Sequence, residues 1–251
     1  MTLTSPEQMI GRPWLVRLRP VAQPRIRLFA FPYAGGSAWT FRKWLPDLPA
    51  DLDLVAVEYP GRGVRMREPL CGDLGRLVDG VLGAIPPLLN GPFAFFGHSM
   101  GATVAFELTR RLCDLGRPLP QRLLLSGRGA PQWPRGRGIH QMDEPAFLDR
   151  LDRLGGMPAE VRQNRDVLDM FLPIVRADLE AIETWRHVEG AALPVPITVF
   201  GGRQDPEASP EAIDGWAHHS SVGVRRHMFD GGHFFLNDQH PQLTRLILQE
   251  L

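Results

Sequence analysis

Two cysteines in 251 residues exclude a disulfide-built scaffold, and neither Cys71 nor Cys113 sits in a metal-ligand spacing. Both are expected to be free thiols. Lysine is scarcer still: Lys43 is the single lysine among 28 basic residues, so arginine supplies the positive charge. Those 28 are matched by 28 acidic residues, giving a formal net charge of zero. Broad affinity for nucleic acid or for an anionic membrane would show as a basic excess or a charge-segregated helix, so neither partner is expected. No run approaches the roughly 18 consecutive apolar residues of a membrane span. Residues 1–24 lack the basic start and apolar core of a secretory signal. A cytoplasmic protein is expected. No period of about 20 to 50 residues repeats, and no tract is of low complexity.

What the chain does have is alternation. Apolar runs near 26–32, 53–58, 93–98, 122–127, 196–201 and 224–229 have the length and composition of buried strands, and helical patterns separate most of them. That order predicts an α/β fold with a mostly parallel sheet. A chain of 251 residues is long enough to bury one such core, so a single domain over 1–251 is expected, without a fused second enzyme. Ahead of these runs, Trp14-Leu15-Val16-Arg17-Leu18 reads as an edge strand.

One pentapeptide carries the chemistry. Phe93-Ala94-Phe95-Phe96 feeds into Gly97-His98-Ser99-Met100-Gly101, and a helical pattern over 102–113 leaves it. Without that context G-x-S-x-G is a common Gly/Ser turn; between strand and helix it is a nucleophile elbow. The tight turn strains the backbone of the central serine, and the flanking glycines remove side chains that would strike the neighbouring strand or helix. A serine hydroxyl is a weak nucleophile at neutral pH, so a base and an orienting acid must follow, in the order Ser, acid, His. Pro196-Ile197-Thr198-Val199-Phe200 breaks into Gly201-Gly202-Arg203-Gln204-Asp205-Pro206. Asp205 is thereby placed just past a strand's carboxyl end, where active-site groups of open parallel sheets collect. The run 224–229 then leads through Asp230-Gly231-Gly232 to His233 on a glycine-loosened loop. Ser99, Asp205 and His233 are read as a catalytic triad, with Glu207 the alternative acid two residues deeper in its loop.

The remaining histidines fit the role less well. His98 is locked beside the nucleophile, His218 and His219 end a helical pattern, and His140, His187, His227 and His240 lack a Gly-rich loop at a strand end. Their scatter contains no H-E-x-x-H spacing, so no metal and no cofactor are expected. Acyl transfer also needs N–H donors for the negative charge that develops on the carbonyl oxygen. The Met100 N–H, at the start of its helix, is one. The loop in Phe29-Ala30-Phe31-Pro32-Tyr33-Ala34-Gly35-Gly36-Ser37 is the source of the other, because paired glycines let the backbone turn its N–H groups inward.

Five segments together are informative: Phe31-Pro32-Tyr33-Ala34-Gly35-Gly36-Ser37, Tyr59-Pro60-Gly61-Arg62-Gly63, the pentapeptide around Ser99, Ser126-Gly127-Arg128-Gly129-Ala130-Pro131, and Gly231-Gly232-His233-Phe234-Phe235. Over about residues 25 to 250 the chain resembles the type II thioesterases. These are stand-alone editing enzymes of polyketide and nonribosomal peptide assembly lines, relatives of the medium-chain thioesterase of animal fatty acid synthase. The resemblance implies an α/β-hydrolase fold, with a mostly parallel central sheet flanked by helices and an inserted helical lid. It implies Ser99, Asp205 and His233 as the triad, Ala34 and Met100 as backbone oxyanion donors, and hydrolysis of acyl groups, aberrant or stalled ones, from a phosphopantetheine-bearing acyl or peptidyl carrier protein. Two positions depart from it. Beyond Pro173-Ile174-Val175-Arg176-Ala177-Asp178, which resembles the family's Pro-x-x-Arg-Ala-Asp run, Trp185 stands where a tyrosine is expected; Gly129 stands where a second arginine is common. Two further readings use the same residues differently, a broad carboxylesterase or medium-chain acyl-carrier thioesterase, and a non-catalytic carrier-binding module.

The alternation lapses over about 130–192, where a lid would be inserted. Residues 165–189 place Leu168, Phe171, Leu172, Val175, Leu179 and Ile182 at helical spacing. Such a stripe packs a helix onto its neighbours. The expected acyl pocket uses part of it, Phe171, Leu172 and Val175, with Met157 and Phe147 from the preceding segment. Gly155-Gly156 is a hinge or a plain turn. Arg128, Arg135 and Arg137 cluster where the insertion begins and are expected to meet the acidic carrier. A monomer is expected.

Overall fold

Short runs of Leu, Val, Ile and Phe bounded by turn residues form strands, because residues of this kind pack well on a pleated surface. A computed structural model of the chain describes residues 14–133, 138–157 and 159–251. Its strands are β1 (Leu15–Arg19), β2 (Ile26–Phe31), β3 (Leu52–Val57), β4 (Phe93–His98), β5 (Leu123–Ser126), β6 (Ile197–Gly202) and β7 (Val224–Phe229). They form one sheet in the order β1-β3-β2-β4-β5-β6-β7. β1 pairs antiparallel with β3 at one edge, and every other pairing is parallel. The six apolar runs and the edge segment thus all become strands, within a residue or two of the expected ends.

Every residue of β2, β3, β4, β5 and β6 is buried, as a parallel sheet covered on both faces requires. Alternate residues serve the two covers. Phe29, Phe31, Val55, Val57, Phe93 and Phe95 pack on one side with α1 (Leu74–Ala84) and α2 (Met100–Asp114). Leu28, Ala30, Leu54, Ala56, Ala94 and Phe96 face the other side. There Phe41 and Trp44 of a 3₁₀ segment, Ala38–Asp47, join Leu243 and Ile247 of the last helix.

Between β5 and β6 the chain forms α3 (Glu144–Leu154), α4 (Ala159–Gln163) and α5 (Arg165–Thr184). Gly155 and Gly156 close α3, with Gly155 as its left-handed cap, so they act as a helix end. Leu168 and Leu172 of α5 meet Ile139, Phe147 and Leu151 in a third, smaller core. The helix expected over 165–189 stops at Thr184, because Trp185 turns extended, with ψ 139°. After β6 come α6 (Pro210–Asp214) and, beyond β7, α7 (Phe235–Asp238) and α8 (His240–Glu250). Among the described residues no helix is long and apolar enough to cross a membrane.

The strand order sets the site. The chain steps from β2 outward to β3, then returns past β2 to β4 and continues the other way, so β2 and β4 flank the point where the winding reverses. Loops at the carboxyl ends of strands open a crevice at such a point.

Candidate active site

Ser99 sits between β4 and α2 with φ 55° and ψ −114°, the one non-glycine positive φ among the described residues. The surroundings hold that strain in place. A Cβ on Gly97 would fall 2.2 Å from the Gly101 carbonyl oxygen, and one on Gly101 would fall 2.1 Å from that of Phe31. Helix start and strand ends touch there, so both glycines are needed. The Ser99 N–H donates to the Ser126 carbonyl at 2.8 Å, which ties the turn to β5.

Asp205 lies three residues beyond β6 and His233 four beyond β7, and the pairing of those strands brings the two loops together. The ring of His233 lies with Nδ1 2.9 Å from Asp205 Oδ2 and Nε2 2.9 Å from Ser99 Oγ. Asp205 is 6 % and His233 5 % exposed, so the line is almost dry. The second carboxylate oxygen, Oδ1, accepts the Glu207 N–H at 2.8 Å. The Glu207 side chain turns away to pair with Arg150 of α3. It supports the loop of Asp205 and makes no bond to the imidazole.

His98 is buried behind this line. Its Nδ1 lies 2.9 Å from Ser126 Oγ, and its ring centre is 5.1 Å from that of His233. Burial first, and the neighbouring His233 second, hold its pKa well below the usual histidine value. A neutral ring therefore stands where a second cation would oppose charge forming on His233.

Ala34 and Met100 line the cleft beside Ser99 and His233. Met100 is the first residue of α2, so its N–H has no carbonyl one turn back. Ala34 lies in the turn after β2, which is closed by a 2.8 Å bond from the Gly36 N–H to the Tyr33 carbonyl. Phe31 pairs with Gly97 across β2 and β4, so this turn and the elbow start side by side.

The cleft encloses about 1220 Å³ including its open mouth. Phe171, Val175, Leu179 and Ile182 of α5 form one wall, and Trp133, Trp185 and Phe234 contribute aromatic surface. Leu172 and Met157, expected in the pocket, are not among the residues that line the cleft. Leu172 is one residue round the helix from Phe171, about 100° away, and faces the small core with Phe147, Leu151 and Leu168; Met157 packs against that same core. Phe147 is fully buried there too. The stripe was visible in the sequence, but its width spans two environments and its period does not say which edge faces the cleft. Leu179 and Ile182 stood on the same stripe and do line it.

Arg128 is a buried part of the cleft wall and no exposed docking residue. Burial lowers its pKa to about 10, although Glu207 and Asp205 oppose the shift. Arg135 and Arg137 lie outside the described residues. Trp185 lines the cleft, so the tyrosine-to-tryptophan departure alters its wall. At Gly129 a Cβ would fall 2.7 Å from that of Ala212, so an arginine there requires α6 to shift.

A family model described as "Thioesterase domain" matches residues 26–251. The chain belongs to the thioesterase family. Over 238 residues it is 39% identical to linear gramicidin dehydrogenase LgrE of Brevibacillus parabrevis, covering 93% of this chain and 90% of that one. Thioesterase PikA5 of Streptomyces venezuelae is 36% identical over 239 residues, covering 95% of this chain and 85% of that protein. Among solved structures, the type II thioesterase BorB from the borrelidin biosynthetic cluster superposes with a TM-score of 0.86 at 33% identity, covering 94% of this chain and 97% of the other. The observed architecture is the α/β-hydrolase fold, and the family is one of thioester hydrolases.

Proposed function

We propose that this thioesterase works as a type II editing enzyme, hydrolysing acyl groups from the phosphopantetheine arm of acyl or peptidyl carrier proteins through an acyl-Ser99 intermediate. The observation that carries the reading is the line Ser99 Oγ, His233, Asp205, with two 2.9 Å contacts, in a cleft with one apolar wall formed by α5. The Ser99 oxygen attacks the thioester carbonyl carbon while His233 Nε2 takes its proton. Asp205 holds the ring by Nδ1–H and stabilises the imidazolium. The oxyanion is met by the N–H groups of Ala34 and Met100. The C–S bond breaks, and the carrier sulfur departs with the proton from His233. Water then attacks the acyl-serine, giving its proton to the same nitrogen; the ester C–O bond breaks, the acid leaves and Ser99 regains its hydrogen. Residues 130–192 serve as the lid, and the α5 stripe selects the acyl chain.

The carrier-bound substrate is supported by likeness to PikA5 and to the type II thioesterase BorB. LgrE carries a dehydrogenase name; a serine bonded to a histidine–carboxylate pair favours acyl transfer here. Two measurements test the proposal. A fluorophosphonate probe should label Ser99 and no other residue. Acyl groups loaded on carrier proteins should be hydrolysed with a higher kcat/KM than matched alkyl esters; the reverse order would make the chain a carboxylesterase, and absence of labelling would leave only carrier binding.

A further inference from the structure

Two sequence segments contribute charged residues that take no step in that reaction: Arg62 of Tyr59-Pro60-Gly61-Arg62-Gly63, after β3, and Asp178 of the Pro173-to-Asp178 run inside α5. They meet beneath the loop that carries Ala34. Asp178 is fully buried and Arg62 is 5 % exposed. The guanidinium grips both carboxylate oxygens, with Nη2 2.7 Å from Oδ1 and Nη1 on Oδ2. The same Oδ2 accepts the Gly35 N–H at 2.7 Å, and Arg62 Nη1 also donates to the Gly36 carbonyl at 3.2 Å. A single ion pair thus holds an amide hydrogen and a carbonyl in the two residues that follow Ala34. The Pro60 carbonyl accepts from Arg62 Nε and Nη2 at 3.3 Å each, and the Tyr59 ring lies 5.5 Å from the guanidinium carbon, so the cation is itself fixed. α5 touches the loop a second time, since a Cβ on Gly35, whose φ is 80°, would fall 2.7 Å from Val175 Cγ2.

Desolvating such a pair is costly, and well-packed apolar residues of similar volume stabilise a fold as well or better. What apolar residues cannot do is fix the direction of a particular N–H. We infer that Asp178 and Arg62 are positioning residues for the oxyanion hole. They hold the Tyr33–Ser37 loop so that the Ala34 N–H stays aimed at the developing oxyanion. They also tie that donor to α5, the helix whose Phe171, Val175, Leu179 and Ile182 line the cleft, so occupancy of the acyl wall and oxyanion geometry are mechanically joined. The inference rests on the proposed donor role of Ala34.

The test reads the oxyanion hole apart from thioester turnover, through the rate of fluorophosphonate inactivation, in which a phosphoryl oxygen occupies the same donors. Asp178→Asn keeps an acceptor for the Gly35 N–H but loses the charge. It should lower the inactivation rate and kcat together by about tenfold, with KM within twofold; losing a whole donor costs about a hundredfold or more. Arg62→Met combined with Asp178→Leu removes charge and acceptor while remaining packed, and should lower both by about a hundredfold. A folded double variant whose inactivation and kcat stay within threefold of the parent overturns the inference, as does a rise in KM without a fall in kcat. Should the double variant not fold, Asp178→Asn decides by the same thresholds. Hydrogen exchange on the unaltered protein decides independently: the Gly35 amide should be strongly protected, and exchange at an open-loop rate overturns the inference. If the unaltered protein reacts with the probe but hydrolyses no thioester, the proposed function fails while these comparisons still judge the ion pair.

Discussion

Asp205 and Glu207 are two carboxylates in one loop, and only hydrogen bonding separates their tasks. Asp205 gives one oxygen to His233 and the other to the Glu207 N–H, whereas the Glu207 carboxylate faces Arg150. Asp205→Asn should therefore lower kcat by about 10⁴, because an amide favours the wrong imidazole tautomer. Glu207→Gln should cost less than tenfold, since the backbone N–H it offers Asp205 is unchanged. The kcat values of the two variants, measured side by side, check this; a reversed order reassigns the orienting acid. Ser99→Ala should cost on the order of 10⁶. The meeting of these three side chains was legible in the sequence because each residue carries its context with it: strand, turn and glycines stand within a few positions of Ser99, Asp205 and His233. The neutral state of His98 was not legible, because it depends on burial and on a ring that arrives 135 positions later in the chain, at His233.

Elements show where one-dimensional pattern stops. On α5 the apolar stripe was plain, but only packing decides that Phe171 reaches the cleft as well as the small core, while Leu172 is buried in the small core. Substitutions at these neighbours should separate accordingly. Phe171→Ala should shift the kcat/KM ratio between short and long acyl groups, each methylene in contact being worth about 1 to 3 kcal/mol. Leu172→Ala should leave that ratio unchanged and lower stability by roughly 2 to 5 kcal/mol, read from denaturant unfolding. A second element-level consequence concerns Glu58, which follows β3 and accepts the Ala38 N–H at 3.2 Å, at the head of the 3₁₀ segment. Burial raises its pKa to about 7, although the Ala38 N–H and the charges of Arg62 and Arg65 oppose this. Between pH 4.5 and about 7 the folded chain keeps a proton that the unfolded chain releases. Its contribution is thus fully present below pH 4.5 and lost as pH rises through about 7. Glu58→Gln, which stays neutral, should gain stability relative to the parent on going from pH 5 to pH 8, by up to roughly 3 kcal/mol. A stability difference that does not change over that interval would show that the carboxyl is ionised throughout.

At the scale of the whole molecule, the reversal of winding between β2 and β4 explains why so much could be inferred from strand order alone. Every segment that ends a parallel strand delivers its loop to the same rim, so Ser99, Asp205, His233 and the Ala34 turn were bound to meet once the alternation was recognised. The meeting of Arg62 with Asp178 was not legible, because an insertion of helices between β5 and β6 has no fixed azimuth until it packs. Charge has the same character: a zero sum says nothing about where the arginines lie. Arg186 is exposed at the cleft, next to Trp185, and its Nη1 donates to the Glu183 and Trp185 carbonyls at 2.8 and 3.0 Å, contacts that involve no carboxylate. It is a rim cation suited to an acidic carrier. Arg186→Glu should raise KM for an acyl-carrier substrate and flatten its salt dependence, because rim charges act on encounter and are screened at physiological ionic strength. A minimal acyl thioester of the same chain carries no acidic surface, so its kcat/KM should survive the reversal. Arg135→Glu with Arg137→Glu should behave alike. Equal losses on the carrier-bound and minimal substrates would mean that these arginines shape the cleft and that the carrier docks elsewhere.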